Sequence, residues 1–210
     1  MPKYVITPDR NILIRAAYRD HSPLVEPLIR HIQANTGTGV ITTRALNETH
    51  KSLFNKYGHR EDISYIEERF DEITGFFDPV DVCRQDFSSY IRPVKGFFED
   101  YVKKLHRQAS KKGIVAYKTS GFKDVRDEVI DERARDFKAE KLFWGLPEDE
   151  DMEHVAEDVY LKQRKFQDKH VFLASLDTHI SDPYVSKAIE KTFGVIPGKP
   201  PAVLSRISRL

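Results

Sequence analysis

The chain has 210 residues, enough for one large domain or two small ones and for a buried core that needs no covalent staple. Its 34 basic and 33 acidic side chains leave a net charge of +1, so any hold on nucleic acid must come from a local basic face and not from a global field. A single cysteine, Cys83, excludes an internal disulfide framework and a cysteine-based zinc site, and is expected as a small buried hydrophobe. With no apolar run of membrane-spanning length and no charged-then-apolar leader, the expectation is a soluble, cytoplasmic protein without a membrane partner.

Tyr4-Val-Ile6 is a run of strand formers that Thr7-Pro8 ends, with Asp9 at its carboxyl end and Asn11 two residues on. Asn11 to Tyr18 predicts a short helix. Ser22-Pro23 reads as an N-cap with proline in the first helical position, and Leu24, Leu28 and Ile32 then form a stripe at helical spacing up to Asn35. Asn35-Thr-Gly-Thr-Gly39 lacks the lysine and the strand-before, helix-after context of a phosphate loop and reads as a turn into a second strand, Val40 to Thr43. The following helix carries Ala45, Leu46, Leu53 and Phe54 inward, with Glu48 little more than a turn from its start. Strand, helix, strand, helix favours a parallel sheet.

From Gly58 to Gly145 the chain is helix-rich and highly charged. Expected there are helices over Glu61–Thr74, Gly96–Lys112 and Asp124–Leu142, with a strand over Val80–Cys83. The stretch reads as an insertion, 58–145, within a single domain of 1–210. The α/β rhythm then returns. Pro147 to Asp151 opens a helix, His170 to Ser175 is the most strand-like run of the chain, and Asp182-Pro183 caps a further helix. Gly194 to Pro197 predicts an edge strand and Ala202 to Leu210 a terminal helix.

Four acids stand out by position: Asp9 after the first strand, Glu48 on the helix after the second, Asp151 at a helix start and Asp177 just past the strongest strand. In a parallel sheet the carboxyl ends of the strands share one edge, so Asp9 and Asp177 can approach each other there. Carboxylates crowded into one cleft require cations, and hard oxygen donors suit Mg²⁺ or Mn²⁺. Such a site activates water and stabilises the leaving oxygen of a phosphodiester.

These motifs resemble the PIN-domain nucleases. Asp9-Arg10-Asn11-Ile12-Leu13-Ile14 is similar to the family's first acidic motif, Glu48 to its helical glutamate, Asp151-Met-Glu-His-Val-Ala156 to its third motif, and Ser175-Leu176-Asp177 to its Thr/Ser-x-Asp. The likeness covers roughly the first 55 and last 65 residues. It implies a three-layer α/β/α fold with a mainly parallel central sheet. It also implies a metal-dependent endoribonuclease in which Asp9, Glu48, Asp151 and Asp177 hold Mg²⁺ or Mn²⁺, with Asn11, Ser175, Asp149 and His179 in support. RNA is the implied partner, with single-stranded DNA the other substrate. Arg10 departs from the pattern, standing where the family carries a hydroxyl residue.

Each acid also has an ordinary reading. Asp9 can cap the helix behind it, Glu48 can be a solvated helix residue, and Asp151 with Asp149 can stabilise a helix dipole. Asp177 is less easily explained so, because Asp182 supplies the next cap. His154, one turn from Asp151, is a further possible ligand, though a surface histidine is commoner. Lys103, Lys104, Arg107, Lys111 and Lys112 form a basic run that fits a strand-binding face beside His106, Tyr101 and Tyr117, or merely suits a helix C-terminus. The second function class is a catalytically silent nucleic-acid-binding or scaffold protein, in which Arg10 pairs with Asp9 in place of metal. In a third, the charged middle helices form a homodimer surface.

Overall fold

The computed structural model describes residues 2–18, 23–111 and 146–210. The expected helix Asp124–Leu142, the stretch Ile114–Tyr117, and Ser22 and Lys112 lie outside them. The chain divides into two compact units, Met1–Ser88 with Glu157–Leu210, and Ser89–Ala156.

The first unit is an α/β structure on short parallel strands. β1 (Tyr4–Pro8), β4 (His170–Ala174) and β5 (Val195–Gly198) pair in parallel, with Ile6 opposite Phe172 and Phe172 opposite Ile196. β2 (Val40–Thr42) pairs in parallel with β3 (Asp78–Val80). A parallel bridge between Ile6 and Gly39 joins the two pieces, with the Ile6 N–H donating to the Thr38 carbonyl at 2.7 Å. The spatial order is therefore β3-β2-β1-β4-β5. The chain leaves β1 in one direction and returns on its other side at β4, so the order reverses between β1 and β4. In open α/β sheets that reversal, at the carboxyl ends of the strands, leaves a crevice.

Pleating sends alternate residues to opposite faces. Ile6, Phe172, Ala174 and Ile196 join a core with α1 (Arg10–Ala17), α2 (Glu26–Ala34), α3 (Thr43–Tyr57), α4 (Ile63–Thr74) and the terminal helix Pro200–Ile207. Val5, Val40 and Val171 form a second cluster with Val80 and Phe166. Burial on both faces explains why these strands read as continuous apolar runs. Gly39 is a point of close approach, because a Cβ there would meet the Ile32 side chain and lie 2.9 Å from Phe77.

Several expectations need correction. α2 starts at Glu26 with Pro27 in its first turn, not at Ser22-Pro23, and residues 23–25 form a turn. The third strand lies earlier than Val80–Cys83, because Asp78–Val80 fits beside β2 and the Asp78 N–H donates to the Gly39 carbonyl at 2.9 Å. Cys83 is exposed and its N–H donates to Asp86 Oδ2 at 2.8 Å, starting a helix instead of ending a strand. That helix, α5 (Arg84–Lys111), begins well before Gly96 and runs through Pro93. The apolar period of Phe87, Val94 and Phe98, all buried, carries it past the proline. α6 (Asp149–Tyr160) is followed by one π-helical turn, Leu161–Lys165. α7 (Thr178–Ser181) and α8 (Pro183–Phe193) come before β5, and the Pro200–Ile207 helix is α9. Among the described residues no helix is long and apolar enough to cross a membrane.

Candidate active site

The crevice at the β1 and β4 ends is built by backbone first. The Asp9 N–H donates to the Ala174 carbonyl at 2.8 Å, and the Ser175 N–H to the Gly198 carbonyl at 3.0 Å, which locks the segments leaving β1 and β4 side by side. Asp9 is buried, 7% exposed. It occupies the N-cap position of α1, with extended backbone, but its side chain makes no capping hydrogen bond. Asp9 Oδ2 instead accepts from the Ser175 hydroxyl at 2.9 Å. Helix capping therefore does not account for this carboxylate.

Ser175 is fully buried, and its hydroxyl works twice. It donates to Asp9 and accepts from the Asp177 N–H at 3.0 Å. Asp177 Oδ1 in turn accepts from the His179 N–H at 2.7 Å and lies 3.1 Å from His179 Nδ1. Asp9, Ser175, Asp177 and His179 thus form one connected set. Asp177 is also the N-cap of α7, while Asp182 caps α8 through the N–H groups of Tyr184 and Val185. The capping role withheld from Asp177 on the ground that Asp182 already serves is one it in fact performs.

Glu48 is engaged differently. It is half exposed, and both its oxygens accept from Arg44 Nη1, at 2.7 and 2.8 Å, one turn back on α3. Arg44 Nη2 reaches Glu157 Oε2 at 2.7 Å, and its guanidinium lies 4.9 Å from the centre of the Phe87 ring. Glu157 is only 1% exposed. Burial opposes the charge on Arg44, but hydrogen bonds and Coulombic attraction from Glu157 and then Glu48 outweigh it and hold the guanidinium above its ordinary range. Beside Glu157, the equally buried Asp158 accepts from the Thr7 hydroxyl at 2.9 Å, tying α6 to β1. Among the described residues, neither Asp9 nor Glu48 enters a group of three or more His, Cys, Asp or Glu ligand atoms lying within 4.8 Å of one another.

The remaining expected residues are placed as follows. Arg10 Nη1 donates to the Ser52 hydroxyl on α3 at 3.4 Å. Asp149 and Asp151 sit with Glu150 in the first turn of α6, where three acids suit the positive end of the dipole. Asp149 is exposed and 3.4 Å from Lys95 Nζ, Asp151 is half-buried, and His154 is half-buried on the same helix. Both acids and His154 belong to the second unit. Lys103, Lys104 and Arg107 are exposed on α5, which Lys111 ends. Lys103 has Glu99 at 3.8 Å and Asp100 at 3.6 Å on its own helix, so part of the basic run is locally balanced.

A feature the sequence reading missed borders Asp177. A cleft of about 500 Å³ is lined by Asn11 and Arg15 from α1 and Tyr18 at its C-cap, Lys56 and Tyr57 from α3, and Leu176 and Asp177 from the β4 exit. Asn11, Arg15 and Tyr18 follow one another by four and three residues, the spacing of a single helix face, and that period was the available signal. Comparison with protein-family models, with curated proteins and with solved structures found no match to this chain.

Proposed function

We propose that the protein is a divalent-metal-dependent ribonuclease of PIN type, a three-layer α/β/α structure acting in the cytoplasm on RNA in preference to DNA. The observation that carries this reading is the buried Asp9 carboxylate at the strand-order reversal, unused as a cap and linked through Ser175 to Asp177. Asp9 and Asp177, joined through the Ser175 hydroxyl, are hard oxygen donors of the kind that suit Mg²⁺ or Mn²⁺. A bound ion of this kind would lower the pKa of its water and offset charge on the phosphodiester oxygens. Asp9 and Asp177 would hold it, Ser175 would fix the Asp9 carboxylate, and His179 would orient Asp177. Glu48, the further acid of the proposal on this unit, would exchange Arg44 for the ion.

Calorimetric titration with Mn²⁺ tests this without knowledge of the substrate. Wild-type binding that is lost in Asp9→Asn and in Asp177→Asn, with both variants folded, is the expected result, together with loss of RNA cleavage. Cleavage undiminished in Asp9→Asn would overturn the assignment. A second reading, the catalytically silent module, draws on the structural work these acids already do: Asp177 caps α7 and Glu48 is chelated by Arg44. It predicts no Mn²⁺ binding either alone or with RNA present.

A further inference from the structure

The cleft beside Asp177 combines two features that nucleic-acid-binding grooves share, paired aromatic rings and unneutralised cations. Tyr18 and Tyr57 lie with ring centroids 5.0 Å apart at an interplanar angle of 37°, both half-buried, so their bodies are fixed while part of each ring stays accessible. Lys56 Nζ sits 5.4 Å from the Tyr57 ring centre. Arg60 lies over Tyr18 at 5.0 Å from its centroid and also donates to its hydroxyl, which sets that ring's orientation. Arg60 is itself paired with Asp62, so it supports Tyr18 and is not counted as a phosphate ligand. Arg15 and Lys56 are exposed, and neither forms an ion pair with a described acid.

We propose that this cleft is a binding groove for single-stranded RNA, with bases stacking on Tyr18 and Tyr57 and phosphates on Arg15 and Lys56. The charge is complementary to a phosphodiester, and two half-buried rings at the edge of the core, each still partly accessible, provide the sequence-tolerant stacking that unpaired bases use. A duplex would keep its bases stacked on one another and leave the rings unused. Asn11 and Asp177 line the same cleft, and together they offer an amide donor and a carboxylate acceptor, which match a 2′-hydroxyl that DNA lacks. The groove would deliver the strand to the Asp177 end, where the proposed hydrolysis takes place, and in that sense it rests on the nuclease reading. It also displaces the α5 basic run as the principal strand-binding face.

The test is fluorescence polarisation with end-labelled oligo-uridylate on the full chain in chelator, so that binding is read without turnover. Arg15→Gln, Lys56→Gln and Tyr57→Leu are the variants: the first two are exposed, and the third keeps apolar packing while removing the ring. Tyr57→Leu should weaken binding roughly tenfold. Removing both cations should lower the slope of log affinity against log salt by about 1.4, from about 0.7 per phosphate contact on a single strand. Oligo-thymidylate bound more tightly than oligo-uridylate would overturn the choice of RNA. Inorganic polyphosphate bound as tightly as the oligomer, or oligo-uridylate binding indifferent to all three variants, would overturn the groove itself. Groove-dependent binding with no Mn²⁺ site would leave the groove standing and sink the nuclease reading; cleavage with an unaltered KM in the double cation variant would do the reverse.

Discussion

Replacing Arg44 with Met is the most demanding test of the buried electrostatics. Glu157 is 1% exposed, and its ion-pair partner is the Arg44 guanidinium at 2.7 Å. Met fills much of the same volume but strands the carboxylate, and breaking a buried pair in this way costs about 3–5 kcal/mol. The reciprocal change is milder. Glu157→Gln leaves Arg44 with both oxygens of Glu48 and with 14% of its side chain exposed, so a loss of about 1–2 kcal/mol is expected. The double variant Arg44→Met/Glu157→Leu should recover most of the loss, since an apolar pair of similar volume is often neutral or better. Urea unfolding followed by circular dichroism, with midpoints compared at common slope, measures all three. An Arg44→Met cost below about 1 kcal/mol, or a cost equal to that of Glu157→Gln, would refute the view that Arg44 exists here to neutralise Glu157.

Other outcomes follow from local geometry. Gly39→Ala places a Cβ against Ile32 and 2.9 Å from Phe77 at the bridge between the two strand pieces, and should cost about 1–3 kcal/mol in urea unfolding. Ser175→Ala removes the donor to buried Asp9 and the acceptor of the Asp177 N–H. A loss of about 2 kcal/mol is expected, and if the carboxylates hold metal, calorimetry should show Mn²⁺ affinity falling roughly tenfold or more. Asp182→Ala deletes the α8 cap and should cost about 1 kcal/mol with no effect on Mn²⁺. Burial lowers the His31 pKa below its usual 6.5, beside a 2.8 Å contact between Nε2 and the Tyr4 hydroxyl. The unfolded chain therefore takes up the proton first, and the stability this residue contributes is present above about 6.5 and is lost as pH falls through the folded value. Melting temperatures between about pH 7 and pH 5 should drop more in the wild type than in His31→Gln.

The parallel strands were legible because the residues that pair also read as apolar runs bounded by turn formers: Val5-Ile6, Val40-Ile41 and Val171 to Ala174 are buried on both faces. The helices were legible where a period of 3.6 met a clean stop, as in α4 and α8. α5 was not, because Pro93 and Gly96 look like a boundary, whereas tertiary burial of Phe87, Val94 and Phe98 holds the helix through them. β3 was misplaced by two residues because Val80 and Val82 carry the apolar signal, while pairing with β2 is set by Asp78 to Val80, of which Asp78 and Pro79 are exposed.

The acids divide along the same line between local and long-range information. Asp9 and Asp177 could be placed at the sheet edge because each follows a recognisable strand, and a parallel sheet brings such positions to one side. That Ser175 joins them depends on the β1–β4 register, in which Pro8 lies opposite Ala174, and no pattern within either strand encodes a register. Glu157 and Asp158 stayed hidden for a different reason. In Ala156-Glu-Asp-Val-Tyr160 they continue a helix that opens on three exposed or half-exposed acids, so they read as more of the same solvated face. They are buried because partners 113 and 151 positions away, Arg44 and Thr7, are brought to them by the fold. A buried acid is identified by its partner, and where that partner is distant in the chain only the tertiary structure reveals it. The Tyr18–Tyr57 cleft obeys the same rule: Asn11, Arg15 and Tyr18 shared a visible helix face, but the face gained a meaning only when the end of α3 set Lys56 and Tyr57 against it.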